Sequence, residues 1–325
     1  MMSIIFICPY FGSIDLGIHT VWLQGCAANP SIKYLLITDD RNAFSVTTPE
    51  NVECIFMEWD ECIRLIKNKI DFDVEINNPY KLCDFRPAFG HIFEEYIEGY
   101  DFWGYTDSGD TLYGDLRGFL HDDMLRNYDK IHMFGHLSLY KNIEKINKCY
   151  LIPAKSGLKI QDIFSVSETV CFDDMYQKAS INRLLLENGF SLLERVPDLV
   201  ADVLPSKWAF HLWEDKGRRK KRIFEWDRGK LYDVVAEEGK IQKREVGYLH
   251  LQKRKMINEL VAGANHFYII PNRFIMAEQP ITCEMIEKKW SVDRFYFDPL
   301  KRRIVRIVGY AKNRDVFIRK LMGKY

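Results

Sequence analysis

The strongest constraint on the fold lies at the start of the chain. Ser3 to Cys8 is an unbroken apolar run, the pattern of a strand buried on both faces. Pro9 to Ser13 interrupts it as a loop. Asp15 then stands as an N-cap for a helix that runs to about Ala28. Leu16, Val21, Leu23 and Cys26 give it an apolar side, and Asn29 and Pro30 end it. Lys33 to Thr38 is a second apolar strand, closed by Asp39 and Asp40. Strand, helix and strand in this order predict a βαβ unit with a right-handed crossover. Val52 to Met57 predicts a third strand and Asp60 to Lys69 a second helix. Such alternation predicts an α/β fold built on a doubly wound sheet. No GxGxxG follows the first strand and no GxxxxGK[ST] occurs, which disfavours a classical dinucleotide fold and a P-loop.

The stretch from Tyr100 to Asp115 carries the densest chemistry. Phe102, Trp103 and Tyr105 suit a pleated sheet, and Asp107, Ser108, Gly109 and Asp110 suit a turn. Two acids thus follow a buried strand, and open α/β sheets bind ligands outside the carboxyl ends of their strands. Such a pair can hold Mg²⁺ or Mn²⁺ against a diphosphate. The same residues also suit a solvated β-turn.

Between these regions lie Lys81, Asp84 and Arg86, three charges beside an apolar segment, each of which needs a partner or a ligand. Phe85, Phe89, Phe93 and Ile97 recur every four residues and predict the packed face of a helix. Leu116 to Asn127 reads as a helix and Lys130 to Tyr140 as one strand containing His132 and His136, both of which also suit satisfied core histidines. Phe172 precedes Asp173 and Asp174, an acid pair that fits either helix capping or a catalytic carboxylate near an acceptor. Six of the seven residues from Lys216 to Arg222 are basic, which reads as a solvated loop. Ile223 to Trp226 and Lys230 to Val235 flank Asp227, Arg228 and Gly229 as a β-hairpin. A further strand from Arg244 to Leu251 delivers His250 followed by Lys253, Arg254 and Lys255. A histidine with trailing positive charge can complete a metal site and neutralise a diphosphate.

Charge separates the partner classes. Lys+Arg and Asp+Glu are both 46, so there is no nucleic-acid signature. None of the eight cysteines forms a CxxC pair, which disfavours a zinc ribbon and fits a reducing, cytoplasmic setting. The N-terminal apolar run is too short for a signal peptide, and no run is long enough to cross a membrane. Residues 301–325 hold nine Lys/Arg and one acid among interleaved apolar residues. That pattern suits either peripheral contact with an anionic membrane surface or a solvated terminal helix.

A resemblance joins these pieces. Tyr80 to Gly90, Phe102 to Asp107 and Tyr113 to Arg117 together resemble a bacterial family of glycosyltransferases. Its members are encoded with capsule, exopolysaccharide and lipopolysaccharide genes and are related to GT-A enzymes carrying an Asp-x-Asp motif. Pro9 to Gly12, Gly135 to Asn142, Phe172 to Asp174 and Tyr248 to Lys255 fit it too, so the resemblance spans roughly residues 4 to 275. One departure is the extra residue between the acids, Asp107-Ser108-Gly109-Asp110.

The resemblance implies a GT-A-like fold with a Rossmann-like nucleotide-binding sheet and a C-terminal β-hairpin and helical extension. Residues 1–215 would form the core, 216–275 the hairpin and returning segment that complete the site, and 276–325 a basic amphipathic extension. The implied activity is metal-dependent transfer of a hexose from a nucleotide-diphosphate sugar, a UDP-sugar foremost, to a saccharide or lipid-linked acceptor in surface polysaccharide synthesis. The implied location is the cytoplasm, with peripheral contact at the inner face of the membrane. Asp107, Asp110 and His250 would hold Mn²⁺ or Mg²⁺, and Lys253 and Arg254 would face the diphosphate. Tyr10, Phe11 and Asp39 would line the nucleotide pocket. Asp84 and Arg86 would face the donor sugar, Lys81 would also bind the nucleotide sugar, and Asp173 or Asp174 would serve as an acceptor-side base if the reaction inverts configuration. Two other readings stay open. A sugar nucleotidyltransferase shares the layout, but the loop after the first strand lacks the expected basic residue. A carbohydrate-binding or scaffold protein on a degenerate transferase fold would tolerate the altered acid spacing.

Overall fold

The computed structural model describes residues 1–292 and 294, apart from 156, 175–178 and 219. Residues 301–325, read above as a membrane-contact element, lie outside the described residues. The chain opens as β1 (Ile4–Tyr10), α1 (Leu16–Ala27), β2 (Ile32–Thr38), β3 (Val52–Phe56) and α2 (Trp59–Lys69). All three strands run parallel. The Asp15 carboxylate accepts the Gly17 N–H at 3.0 Å and so starts α1. Helix α1 is buried on more than one side, because Trp22, Leu23 and Cys26 pack on the large sheet while Ile18 and Val21 pack on the C-terminal strands. Leu16, expected on the apolar side, is exposed instead.

The next strand, β4 (Phe102–Thr106), returns to the other edge of β1 and pairs with it in parallel. The chain therefore leaves β1 in one direction toward β2 and comes back on the opposite side. In sheets of this kind such a reversal marks the place where ligands bind, beyond the carboxyl ends of β1 and β4. Beyond β4 come β5 (Thr111–Tyr113), β6 (Lys130–Phe134), β7 (Leu137–Lys141), β8 (Leu192–Leu193) and β9 (Val200–Asp202). The large sheet has the order β3-β2-β1-β4-β7-β6-β8 and is mixed, since β7 is antiparallel to both β4 and β6. Each buried strand serves two cores. Ile5, Ile7, Trp103 and Tyr105 face one side, and Ile4, Phe6 and Phe102 the other.

A second sheet collects β10 (Lys221–Asp227), β11 (Lys230–Glu237), β12 (Lys240–Val246), β14 (Ile257–Asn258), β15 (His266–Ile270) and β16 (Arg273–Met276), while β13 (Tyr248–His250) leaves it. The β10–β11 hairpin turns at Arg228 and Gly229, both with positive φ. A small third sheet, β5-β13-β9, joins the two halves. Among the described residues no helix is long and apolar enough to cross a membrane.

Four expectations from the sequence are corrected. Lys130 to Tyr140 is two antiparallel strands, because the chain reverses at Gly135 and His136. Arg244 to Leu251 is also two strands. Gly247 separates them where the chain crosses so close to Leu199 that a Cβ would come within 2.8 Å of its carbonyl oxygen. The Phe85, Phe89, Phe93 and Ile97 stripe is buried as expected, but it lies on a series of short helical turns rather than one helix. Pro87 and Gly90 interrupt that segment, and Gly90 lies against the Trp103 indole. Between Leu116 and Asn127 only Asp122–Asn127 is α-helical.

Candidate metal and nucleotide site

The turn after β4 lies at the switch point of the large sheet. Gly109 lies under the Tyr10 ring, and a Cβ there would sit 2.9 Å from Tyr10 Cε2. This close approach explains the glycine and lets the longer turn fold back. One carboxylate oxygen each from Asp107 and Asp110 lies within 4.8 Å of the other and of a His250 ring nitrogen. The third strand layer brings His250 there from far along the chain, since β13 places it opposite Thr111 of β5 and beside Asp202 of β9.

Asp110 is held by main chain. Its carbonyl oxygen accepts the Leu251 N–H at 2.7 Å, and its Oδ2 accepts the Lys253 N–H at 2.6 Å. That second bond is aimed by two consecutive left-handed residues, Gln252 (φ 55°) and Lys253 (φ 58°), a conformation that costs energy outside glycine. Asp110 Oδ1 is buried and has no hydrogen-bond partner. His250 Nδ1 donates to Asp202 Oδ1 at 2.8 Å, and His250 Nε2 faces Asp110 Oδ2 at 3.5 Å. Burial alone would lower the pKa of His250; Asp110 and Asp202 outweigh it and raise the ring to about 10. Burial likewise pushes Asp110 up, but His250 and the Lys253 N–H hold it below the usual carboxylate range. Asp107 is raised by burial, against the pull of Arg86.

Arg86 ties the cluster to a second acid. One guanidinium nitrogen pairs with Asp107, and the other donates to the Gly135 carbonyl and to Asp173 Oδ2, the latter at 2.8 Å. Asp173 is almost fully buried, and burial pushes its carboxyl up to about 7 with Arg86 opposing. Asp174 beside it is partly buried, and its N–H donates to the Cys171 carbonyl. Tyr10 packs on the Asp107–Asp110 turn at Gly109, and Asp39 accepts the Gly12 N–H at 2.7 Å, so both lie at the loop after β1. Phe11 turns away into the core against Trp59. Lys253 Nζ sits 4.0 Å above the centre of the Tyr80 ring.

The structure does not bring Lys81, Asp84 or Arg254 into the cluster. Lys81 and Asp84 are fully buried and bonded to each other at 2.8 Å. Arg254 is spent on the Trp208 and Lys207 carbonyls and on Asn272, and stacks on Phe210. Two residues at the site had no assigned role from sequence. Asp202 holds both His250 and the Gln252 amide. His136 stacks on His250 with ring centroids 4.1 Å apart. The signal for Asp202 was a lone acid in the apolar run Leu199 to Leu204.

The donor set suits a divalent cation such as Mn²⁺ or Mg²⁺: two carboxylates, an imidazole and one buried carboxylate oxygen with no partner of its own. The class defined here is a mixed α/β protein with a carboxylate–histidine cluster at the switch point of its main sheet. The chain belongs to a family of unknown function, DUF6625, whose model matches residues 6–278. No curated protein matches the sequence. A solved structure that aligns is the crystal structure of a glycosyltransferase involved in the glycosylation of the major capsid of PBCV-1. It is 8% identical, over 62% of this chain and 85% of that one, with a TM-score of 0.32, a likeness too distant to carry a functional argument.

Proposed function

We propose that the protein is a metal-dependent glycosyltransferase of GT-A-like fold that takes a nucleotide-diphosphate sugar, a UDP-sugar foremost, and delivers the sugar to a saccharide or lipid-linked acceptor. The observation that carries this reading is the convergence of Asp107, Asp110 and His250 on one point beyond the carboxyl ends of β1 and β4, with Asp110 Oδ1 buried and unpartnered. The family resemblance of the same segments supports it. Asp107, Asp110 and His250 would hold Mn²⁺ or Mg²⁺, which supplies positive charge to the diphosphate as the sugar departs. Tyr10 and Asp39 border the nucleotide, and Lys253 adds charge beside the phosphates. Asp202 orients the His250 ring through Nδ1 and leaves Nε2 for the ligand side. Arg86 lies between Asp107 and Asp173, where its charge can face the donor sugar side while Asp173 holds it in place. Asp174 is the acid left for an acceptor-side base. Bacterial surface polysaccharide is the proposed setting, with residues 301–325 as the proposed membrane contact.

Calorimetry with UDP, with and without Mn²⁺, tests the reading, followed by hydrolysis and transfer assays on a panel of nucleotide sugars. Tight UDP binding that requires Mn²⁺ is expected. One observation favours a second reading: Asp107 is already paired with Arg86. A non-catalytic carbohydrate-binding protein would keep that pair, and absence of any metal-linked UDP binding would select it.

A further inference from the structure

Behind the cluster runs a chain of hydrogen bonds whose hydrogens can be counted. The Val196 N–H can only donate, and it meets His132 Nδ1 at 3.4 Å. That nitrogen therefore carries no hydrogen, and the ring's hydrogen sits on Nε2, where it is donated to Tyr248 Oη at 2.9 Å. The Tyr248 hydroxyl has one hydrogen, and the remaining partner for it is His136 Nδ1, also at 2.9 Å. His136 is thereby left with its hydrogen on Nε2. This nitrogen is buried and has no partner; Asp202 Oδ2 is 4.0 Å away, beyond hydrogen-bond reach. His132 and Tyr248 are fully buried and His136 is nine-tenths buried, so water does not interrupt the order.

The neighbouring ring presents the opposite polarity. With a cation bound, His250 donates through Nδ1 to Asp202 and gives the cation the lone pair of Nε2; without one, the two acids favour a second proton at Nε2, which faces Asp110. Two imidazoles thus lie stacked at the cluster, one whose Nε2 would serve a cation and the other whose Nε2 is set to donate. A cation takes the lone pair. The N–H needs an oxygen acceptor, because a buried donor without one is costly. The acceptor that would accompany a cation at Asp107, Asp110 and His250 is an oxygen of the anion it binds.

We propose that His136 Nε2–H donates a hydrogen bond to a phosphate oxygen of the bound nucleoside diphosphate and is not a metal ligand, and that Tyr248 and His132 act on it by fixing its tautomer. The identity of the anion rests on the glycosyl-transfer reading above. The tautomer rests on the hydrogen bonds alone.

Three measurements on the full chain test this. The first is Mn²⁺ affinity without nucleotide, by electron paramagnetic resonance. The second is UDP affinity with Mn²⁺ present, by calorimetry. The third is the protonation pattern of the His136 ring, by ¹⁵N NMR. His136→Leu is expected to leave Mn²⁺ affinity within about twofold and to weaken UDP binding about tenfold to a hundredfold, the range for a hydrogen bond to a charged group. His136→Gln keeps an N–H and is expected to recover part of that loss. Tyr248→Phe is expected to weaken UDP binding by a smaller factor and to mix the His136 tautomers in the NMR spectrum. A loss of Mn²⁺ affinity in His136→Leu and His136→Gln as large as in Asp110→Asn would make His136 a metal ligand and overturn the proposal. So would a wild-type His136 ring with its hydrogen on Nδ1, or UDP binding indifferent to both substitutions. If the wild type binds neither Mn²⁺ nor UDP, the functional reading falls and the phosphate oxygen with it, while the NMR result still decides the tautomer.

Discussion

The two buried charge pairs Lys81–Asp84 and Asp110–His250 differ in what they leave undone. In the Lys81–Asp84 pair every polar atom is used. Lys81 Nζ gives its three hydrogens to Asp84 and to the Ile163 and Glu168 carbonyls, at 2.7–2.8 Å. Asp84 accepts from Lys81 and from the Val170 and Phe172 N–H groups. The Asp110–His250 pair is looser, with 3.5 Å between its nearest atoms, a carboxylate oxygen without a partner and a neighbouring imidazole N–H without one. Saturation marks a structural tie. Here Lys81 and Asp84 pin the segment that carries Asp173. Incomplete satisfaction of buried groups is costly, and the ligand proposed for this cluster would complete it.

The largest effect is expected where the charge is saturated. Lys81→Met leaves the Asp84 carboxylate buried with its charge unpaired, which costs about 3–5 kcal/mol. Urea unfolding should show that loss. Stability within about 1 kcal/mol of wild type would mean that the pair is not the tie its bonds suggest. Asp110→Asn should reverse the pattern. It should weaken Mn²⁺ binding by about 100-fold or more, above the effect of most outer-shell changes, with little loss of stability. An unfolded Asp110→Asn protein would erase the distinction between the two pairs.

A third buried charge sharpens the comparison from the opposite side. Lys130 has partners, Ser138 Oγ at 3.1 Å and Asn182 Oδ1 at 2.6 Å, but no carboxylate among them. Burial pushes its pKa down to about 7. The unfolded chain keeps the ordinary lysine value, so between about pH 7 and 10.5 it binds more protons than the folded one, and this residue makes stability rise with pH. From pH 7 to pH 9 the wild type should gain about 2 kcal/mol of unfolding free energy relative to Lys130→Met. A difference independent of pH would mean that Lys130 stays charged in the fold.

These contrasts explain what could be read from residues alone. β1, α1 and β2 were legible because an apolar run, a cap and a second run are local signals. The split of Lys130 to Tyr140 was not, since the alternation continues through Gly135 and His136 while the chain reverses. Lys81 with Asp84 and Asp107 with Asp110 look alike as spaced charges. What separates them is the set of main-chain groups from residues 163–172 that reach one pair and not the other. His250 was legible as a charged tail on a strand. Its orienting partner Asp202 was not, because the register of β13 on β9 is a property of the third sheet rather than of either segment.

The smallest effect belongs to that partner. Asp202→Asn keeps an oxygen able to accept from His250 Nδ1, so the ring should hold its orientation, but the charge that favours the imidazole as a ligand is gone. Changes of this kind typically weaken metal affinity by 10–100-fold, and retention of the hydrogen bond places this one at about tenfold. Asp202→Leu removes the acceptor as well and should fall further. Equal affinities in the two variants would mean that charge alone matters, and affinities equal to wild type would mean that β13 and the stacked His136 ring hold His250 without help. Either result would move the incompleteness of the cluster from the Asp202–His250–Asp110 line to Asp107 and Asp110 themselves.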